Sequence, residues 1–200
     1  DSYQSKTFDL RNGTVFDTDV SFGISIGGKD YVINADSSTT LEGLAEKINE
    51  ATEGKVQAKI LNVGGAAGAE SYRLVIQSAE TGSDNAMSFY AITGTTGGNA
   101  SHTSTDSTLN ALGFYFEKAS NTNGDKDSHG NTIMRLTLKQ PDKLTDDEKE
   151  NAGSQLDVAK DAKFKYNGID ITRSSNTVDD LILGVSLTLN KVDKEGESTN

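Results

Sequence analysis

Between residues 21 and 91, apolar and polar positions alternate in short runs that are interrupted once by a helical period. Phe22, Ile24 and Ile26 alternate with small or polar residues, and Tyr31 and Ile33 repeat the pattern, which predicts two strands. Gly27-Gly28-Lys29-Asp30 between them can supply the positive φ angles of a tight reversal. From Thr39 the period lengthens. Leu41, Leu44, Ala45 and Ile48 share one helical face. Thr39-Thr40-Leu41-Glu42 fits a capping box with Glu42 at the third helical position, and Gly54 stands where a left-handed helix end is expected. Val56, Ala58 and Ile60, then Tyr72, Leu74 and Ile76, then Met87, Phe89 and Ala91 return to the strand period. The predicted order is strand, strand, helix, strand, strand, strand, with the helix covering one face of the sheet.

The flanks are read in the same way. Phe8 and Leu10 fall on one side of a first strand, Arg11-Asn12-Gly13-Thr14 reads as a turn, and Val15-Phe16 pairs back. Gly64-Gly65-Ala66-Ala67-Gly68-Ala69 is a flexible hairpin loop, and residues 93–108, nearly all Thr, Gly, Ser and Asn, predict a mobile loop. Leu109, Leu112 and Phe114 suit a helical turn docked on the sheet. After a second polar loop over residues 121–131, Met134, Leu136 and Leu138 alternate as a strand ended by Pro141, and Thr145-Asp146-Asp147-Glu148 caps a brief charged helix. Ala162, Phe164 and Tyr166 lead into Asn167-Gly168, the strongest short hairpin signal, with Ile169 and Ile171 returning. Asn176 is expected to cap a short helix over residues 177–183, with Asp179 and Asp180 in its first turn and Gly184 stopping it, before a last strand of Val185, Leu187 and Leu189. The first and last blocks look alike. The fold class expected is therefore α+β, mostly β: two β-rich domains with few short helices, residues 1–20 plus 156–200 forming one and residues 21–155 inserted as the other.

Composition narrows the function. The chain has 200 residues, 34% hydrophobic and 6% aromatic, so its core is lean. Ser, Thr and Asn number 20, 21 and 15, which favours strands joined by hydrogen-bonding turns over long helices. A net charge of -11 with no basic cluster excludes nucleic acid and an anionic membrane surface as partners. Cysteine is absent, so packing alone must stabilise the fold, and no apolar run approaches a membrane span. A chain that opens in a strand and ends in a polar tail reads as a fragment of something longer.

Candidate chemistry is poor. Nucleophilic catalysis needs a nucleophile, a base and an orienting group; His102 and His129 both fall in polar loops that preorganise a base badly. The acidic pairs Asp146-Asp147 and Asp179-Asp180 are adjacent in sequence, and neighbours on a helix do not face one another. Gly64-Gly65-Ala66-Ala67-Gly68 precedes a strand where a dinucleotide site needs a helix. Asp125-Lys126-Asp127-Ser128-His129-Gly130 imitates the opening of a calcium loop, but His129 stands where oxygen is preferred and Leu136 holds the twelfth position, so a solvated loop is expected. Neither a catalytic residue, a cofactor nor a metal ligand is assigned.

Three C-terminal runs carry a family likeness: Asp161-Ala162-Lys163-Phe164-Lys165-Tyr166-Asn167-Gly168-Ile169, then Arg173-Ser174-Ser175-Asn176-Thr177-Val178-Asp179-Asp180, then Gly184-Val185-Ser186-Leu187-Thr188-Leu189. They closely resemble the bacterial flagellar hook-associated protein 2 family, the filament caps. Thr40-Leu41, Lys47-Ile48-Asn49, Ala58-Lys59-Ile60-Leu61-Asn62, Tyr72-Arg73-Leu74 and Thr81-Gly82-Ser83-Asp84-Asn85-Ala86 look like that family's inserted domain. Residues 93–108 and 121–151 match no family pattern. The resemblance implies a structural protein at the extracellular tip of the flagellum, self-associating in a ring, retaining exported flagellin and promoting its folding. This chain would supply the β-rich head, without the helical legs. Asn167, Gly168, Arg173, Ser175, Asn176 and Gly184 form its structural signature. Asn167-Gly168 is turn chemistry, and Arg173 suits a local ion pair or an acid on a neighbouring subunit. Two other readings compete: an adhesin domain whose Thr/Ser/Asn loops bind host glycans or protein, and a hydrolase using an acidic pair.

Overall fold

The computed structural model describes residues 1–65, 69–94, 106–118, 125–182 and 185–190. Each alternating run of the central unit forms the expected element: β2 (Val20–Ile26), β3 (Lys29–Ala35), helix α1 (Leu41–Ala51), β4 (Val56–Asn62), β5 (Tyr72–Ser78) and β6 (Ser88–Gly94). They do not share one sheet. β1 (Ser2–Gln4), β4, β5 and β9 (Ser154–Asp157) form an antiparallel sheet in the order β4-β5-β1-β9. β2, β3 and β6 join β7 (Phe116–Lys118) and β8 (Thr132–Leu138) in a second sheet ordered β3-β2-β6-β8-β7.

The core lies between these sheets. Tyr3, Val56, Ala58, Leu74 and Ile76 of the first meet Phe22, Ile24, Ile33, Phe89 and Leu136 of the second. Tyr3 stands edge-on to Phe89 at 5.2 Å between ring centres, and Phe89 stacks on Phe114 at 5.7 Å. Helix α1 packs on the edge strands β3 and β4 and sends Leu41, Leu44, Ala45 and Ile48 into the core. It therefore bridges two sheets where the sequence predicts one covered face. Leu109 and Leu112 of a 3-10 turn over Asp106–Leu112, with Phe114 beyond it, are buried in the same core, as their spacing predicts.

Local corrections have local causes. The N-cap of α1 is Thr40, whose side chain accepts the Gly43 N–H at 3.0 Å; Gly43 takes the third position, and Glu42 pairs with Arg11. The reciprocal box forms instead at Thr145 and Glu148, which open α2 (Asp146–Glu150). Leu10 is 63% exposed because pairing of the first segment ends at Phe8, which bridges Tyr72. Phe16 is buried, but the turn before it pairs onto residues 39–40: Val15 donates to Thr39 O, and Thr14 bridges Thr40. The second sheet has two covered faces. Tyr90, Ile92 and Ile133 form a small core behind it, with Val32 packed against them.

Beyond β9 the chain makes two hairpins, β10 (Ala162–Tyr166) with β11 (Ile169–Arg173), and β12 (Thr177–Ile182) with β13 (Val185–Thr188). β12 corrects the predicted helix. Thr177 pairs with Thr188 and Val178 with Leu187, so backbone bonding to β13 prevails over the helix-start signal at Asn176. Architecture and content agree with an α+β, mostly β chain. At the proposed domain seam, β1 pairs on one side with β9, as Ser2 with Asp157, and on the other with β5, as Tyr3 with Ile76.

Candidate interaction surface

The loop of residues 125–131 and the Asp179-Asp180 pair, both considered for chemistry, have structural occupations. The Asp127 carboxylate is buried and accepts the N–H groups of His129 at 2.9 Å and Asn131 at 2.8 Å on Oδ1, and the Asn131 carboxamide at 2.9 Å on Oδ2. Gly130 takes φ +81° to close this loop. The expected solvated loop is thus a braced turn whose central acid is spent on two backbone N–H groups and the Asn131 carboxamide. Ser128 Oγ lies 3.4 Å from His129 Nδ1, and the Asp127 carboxylate lies 3.9 Å from that same nitrogen, so the three form no relay through the two sides of a ring. Asp125 reaches Arg135 at 3.8 Å. Among the described residues no cluster of three metal-ligating side chains occurs. His102 lies outside the described residues. Asp179 and Asp180 alternate along a strand instead of sharing a helix turn, and Asp180 accepts from Arg173 Nε at 3.0 Å. That bond from the guanidinium holds the Asp180 carboxyl below its ordinary range.

The signature residues fall in the two hairpins. Asn167 at φ +48° and Gly168 at φ +81° make the tight turn between β10 and β11. Arg173 has its acid within the chain, at Asp180. Ser175 Oγ accepts the Thr177 N–H at 3.1 Å, and Asn176 O accepts from Leu189 at 2.8 Å, so Asn176 acts through its backbone and caps no helix. Gly184 lies outside the described residues. The pairs Phe164 with Ile171 and Tyr166 with Ile169 put an apolar face on the first hairpin, yet Ile169 is 64% exposed. Leu156, Val158, Tyr166 and Val185 are exposed as well, so the apolar surface of the described residues concentrates over residues 156–185.

These hairpins meet the central unit at a joint the sequence does not announce. Gly82, at φ +92°, lies so close to Ser174 that a Cβ there would stand 1.6 Å from its carbonyl oxygen. Asp161 accepts the Ser83 N–H at 2.9 Å, and bonding to Ser83 lowers its pKa. Asp1 accepts from Ala159 N and Gln155 Nε2 on Oδ1 and from Met87 N on Oδ2. A cleft of about 1050 Å³ opens beside the joint, between the Gly27-Gly28 turn, residues 79–81 and residues 174–177. The runs Thr81-Gly82-Ser83, Asp161 and Arg173-Ser174 each carry the family likeness, but their meeting in space has no signature in a single chain.

Known proteins resemble this one along the same segments. A family model described as Flagellar hook-associated protein 2 C-terminus matches residues 159–200. Flagellar hook-associated protein 2 of Campylobacter jejuni is 37% identical over 170 residues, 82% of this chain and 23% of that protein. The Salmonella typhimurium protein of the same name is 42% identical over 64 residues, 29% of this chain and 14% of its own. The chain therefore spans about a quarter or less of the curated relatives it matches. The crystal structure of the flagellar cap protein FliD D1-D2-D3 domains from Escherichia coli superposes on 97% of this chain and 45% of its own, with a TM-score of 0.59 and 25% identity.

Proposed function

We propose that this chain, whose sequence and fold place it with the flagellar hook-associated protein 2 family, builds the head of a flagellar filament cap. In this reading the full-length protein sits as a homo-oligomeric ring at the extracellular distal tip of the flagellum, retains exported flagellin and promotes its folding into the filament. The chain acts as a scaffold and is no enzyme. The carrying observation is the 37% identity to flagellar hook-associated protein 2 over 82% of the chain. The braced turns that occupy its acids and histidine-bearing loop agree with a framework that holds surfaces in place. The division into residues 1–20 plus 156–200 around an inserted 21–155 remains part of the proposal. Within it, the Gly82, Asp161 and Ser174 contacts set how the two parts of the head are joined.

Deleting the full-length protein from its bacterium tests this. Cells are expected to release flagellin into the medium and carry stunted filaments, and return of the intact gene restores growth. Filaments of normal length in the deletion strain overturn the reading. The adhesin alternative has no specific observation in its favour.

A further inference from the structure

The edges of the two sheets are treated differently. At β4 the exposed edge is sealed by α1: Asn49 donates through Nδ2 to Ala58 O at 2.9 Å and accepts the Ala58 N–H on Oδ1 at 2.7 Å. Thr52 Oγ1 adds a contact at 3.4 Å to Val56 N. An edge left without such cover invites another strand. β3 is also an edge strand. Ile26 and Lys29 close the two-residue turn, so Lys29, Tyr31, Ile33 and Ala35 turn their backbone groups toward β2, while Asp30, Val32 and Asn34 turn theirs away. Asp30 O receives the Ser128 hydroxyl at 3.4 Å. The outward N–H and C=O groups of Val32 and Asn34 have no such partner among the described residues. Beside them runs a groove of about 510 Å³, lined also by Lys29, Ala51, Glu53, Ser128 and His129.

We propose that this groove takes up an extended segment of another polypeptide, which adds to β3 as a further strand. The recognition chemistry is a backbone ladder, with N–H and C=O groups meeting those of Val32 and Asn34; it reads conformation more than sequence. Ala51 and Ser128 leave room for small or β-branched side chains. Among the groove's Asp, Glu and Lys residues the acids Asp30 and Glu53 outnumber Lys29, which on a chain of net charge -11 opposes a second acidic copy and favours a neutral or basic segment. On the cap reading, from which only the partner's source is taken, that segment belongs to an exported subunit that has not yet folded.

The test uses the whole chain and a dye-labelled heptapeptide that alternates valine and threonine between terminal lysines. Its control is the same peptide with every internal amide nitrogen methylated, which leaves neither edge able to complete the ladder and does not depend on refolding any variant. Fluorescence anisotropy should show binding of the first peptide and at least tenfold weaker binding of the second. Val32→Pro, which removes one outward N–H and spares the bonds to β2, should weaken binding at least tenfold with its circular dichroism retained. Asn34→Pro serves in the same way if Val32→Pro unfolds. Hydrogen exchange at Val32 and Asn34 should slow at least tenfold when peptide is added. Equal binding of the two peptides, or no binding of the unmodified one, overturns the proposal. So does a wild-type dimer in sedimentation that Val32→Pro converts to monomer, since a second copy would then own the edge. A chain that binds the peptide, from a full-length protein whose deletion leaves filaments intact, refutes the cap reading and leaves the edge in place.

Discussion

At the scale of single residues, several side chains matter for the space they occupy or decline. Gly23 lies in β2 beneath the ring of Tyr90, and a Cβ built there would fall 1.8 Å from the Tyr90 ring. Tyr90 is fully buried, donates its hydroxyl to Tyr31 O at 3.3 Å, and has its phenol pKa pushed up by burial. It cannot step aside without opening the small core it shares with Ile92 and Ile133. Gly23→Ala is therefore expected to cost about 3 kcal/mol, at the upper end for overpacking. The same change beside Tyr90→Ala should cost less than about 1 kcal/mol, because the clash is gone. A double-mutant cycle by urea unfolding measures the difference, and additive costs would disprove the contact. Gly82 is under the same constraint, but its clash would be with the Ser174 backbone, which no side-chain truncation relieves.

At the scale of elements, the period of apolar residues identifies most strands but not their neighbours. β2 to β6 and α1 are legible because each carries an apolar period on the face it turns to the main core, and Asn167-Gly168 is legible because its turn needs positive φ at both positions. Sheet membership is not legible. β1 inserts between β5 and β9, so Tyr3 meets Ile76 and Gln155 across long stretches of chain that carry no trace of the pairing. Where a local signal and a long-range one conflict, the local signal loses: Asn176 has the chemistry of a helix cap, but Val178 is buried as a strand residue. The seal on β4 was equally hidden, although Asn49 and Ala58 both stand in family-like runs. Asn49→Ala leaves the outward N–H and C=O of Ala58 without their partner, and a loss of about 1–3 kcal/mol in urea unfolding is expected. Asn49→Asp should be worse, since a carboxylate oxygen would then face Ala58 O. In contrast, Gly168→Ala strains a φ of +81° in a hairpin that buries no large side chain. Its effect should appear in the chemical shifts of β10 and β11 while the main unfolding midpoint stays within about 0.5 kcal/mol of wild type.

At the scale of the whole molecule, acidity acts in two opposing ways. The chain carries -11 and has a pI near 4.6, so mild acidification relieves self-repulsion and should leave the melting temperature level or slightly higher down to about pH 5. Below that, specific carboxylates oppose unfolding less and less. Asp36 is lowered by Ser38, Glu148 by Lys139, Asp161 by Ser83 and Asp180 by Arg173. A carboxyl whose folded pKa is depressed stabilises the fold above its unfolded pKa, about 4, and that contribution fades as pH falls through the folded value. Stability should thus decline below about pH 4. Asp161 permits the sharpest check because its carboxylate joins the segment before the C-terminal hairpins to the Ser83 turn. Asp161→Asn keeps an oxygen that can accept the Ser83 N–H but no longer titrates; Asp161→Ala keeps neither. Hydrogen exchange at Ser83, corrected for its intrinsic pH dependence, should show protection in the wild type that falls toward the Asp161→Asn level as pH drops through the lowered folded pKa of Asp161. Protection should be level with pH in Asp161→Asn and absent throughout in Asp161→Ala. If Ser83 in Asp161→Ala stayed as protected as in wild type, the other contacts of the joint, Gly82 with Ser174 and Asp1 with Ala159, would suffice to hold it, and the Asp161 acid would have no part in it.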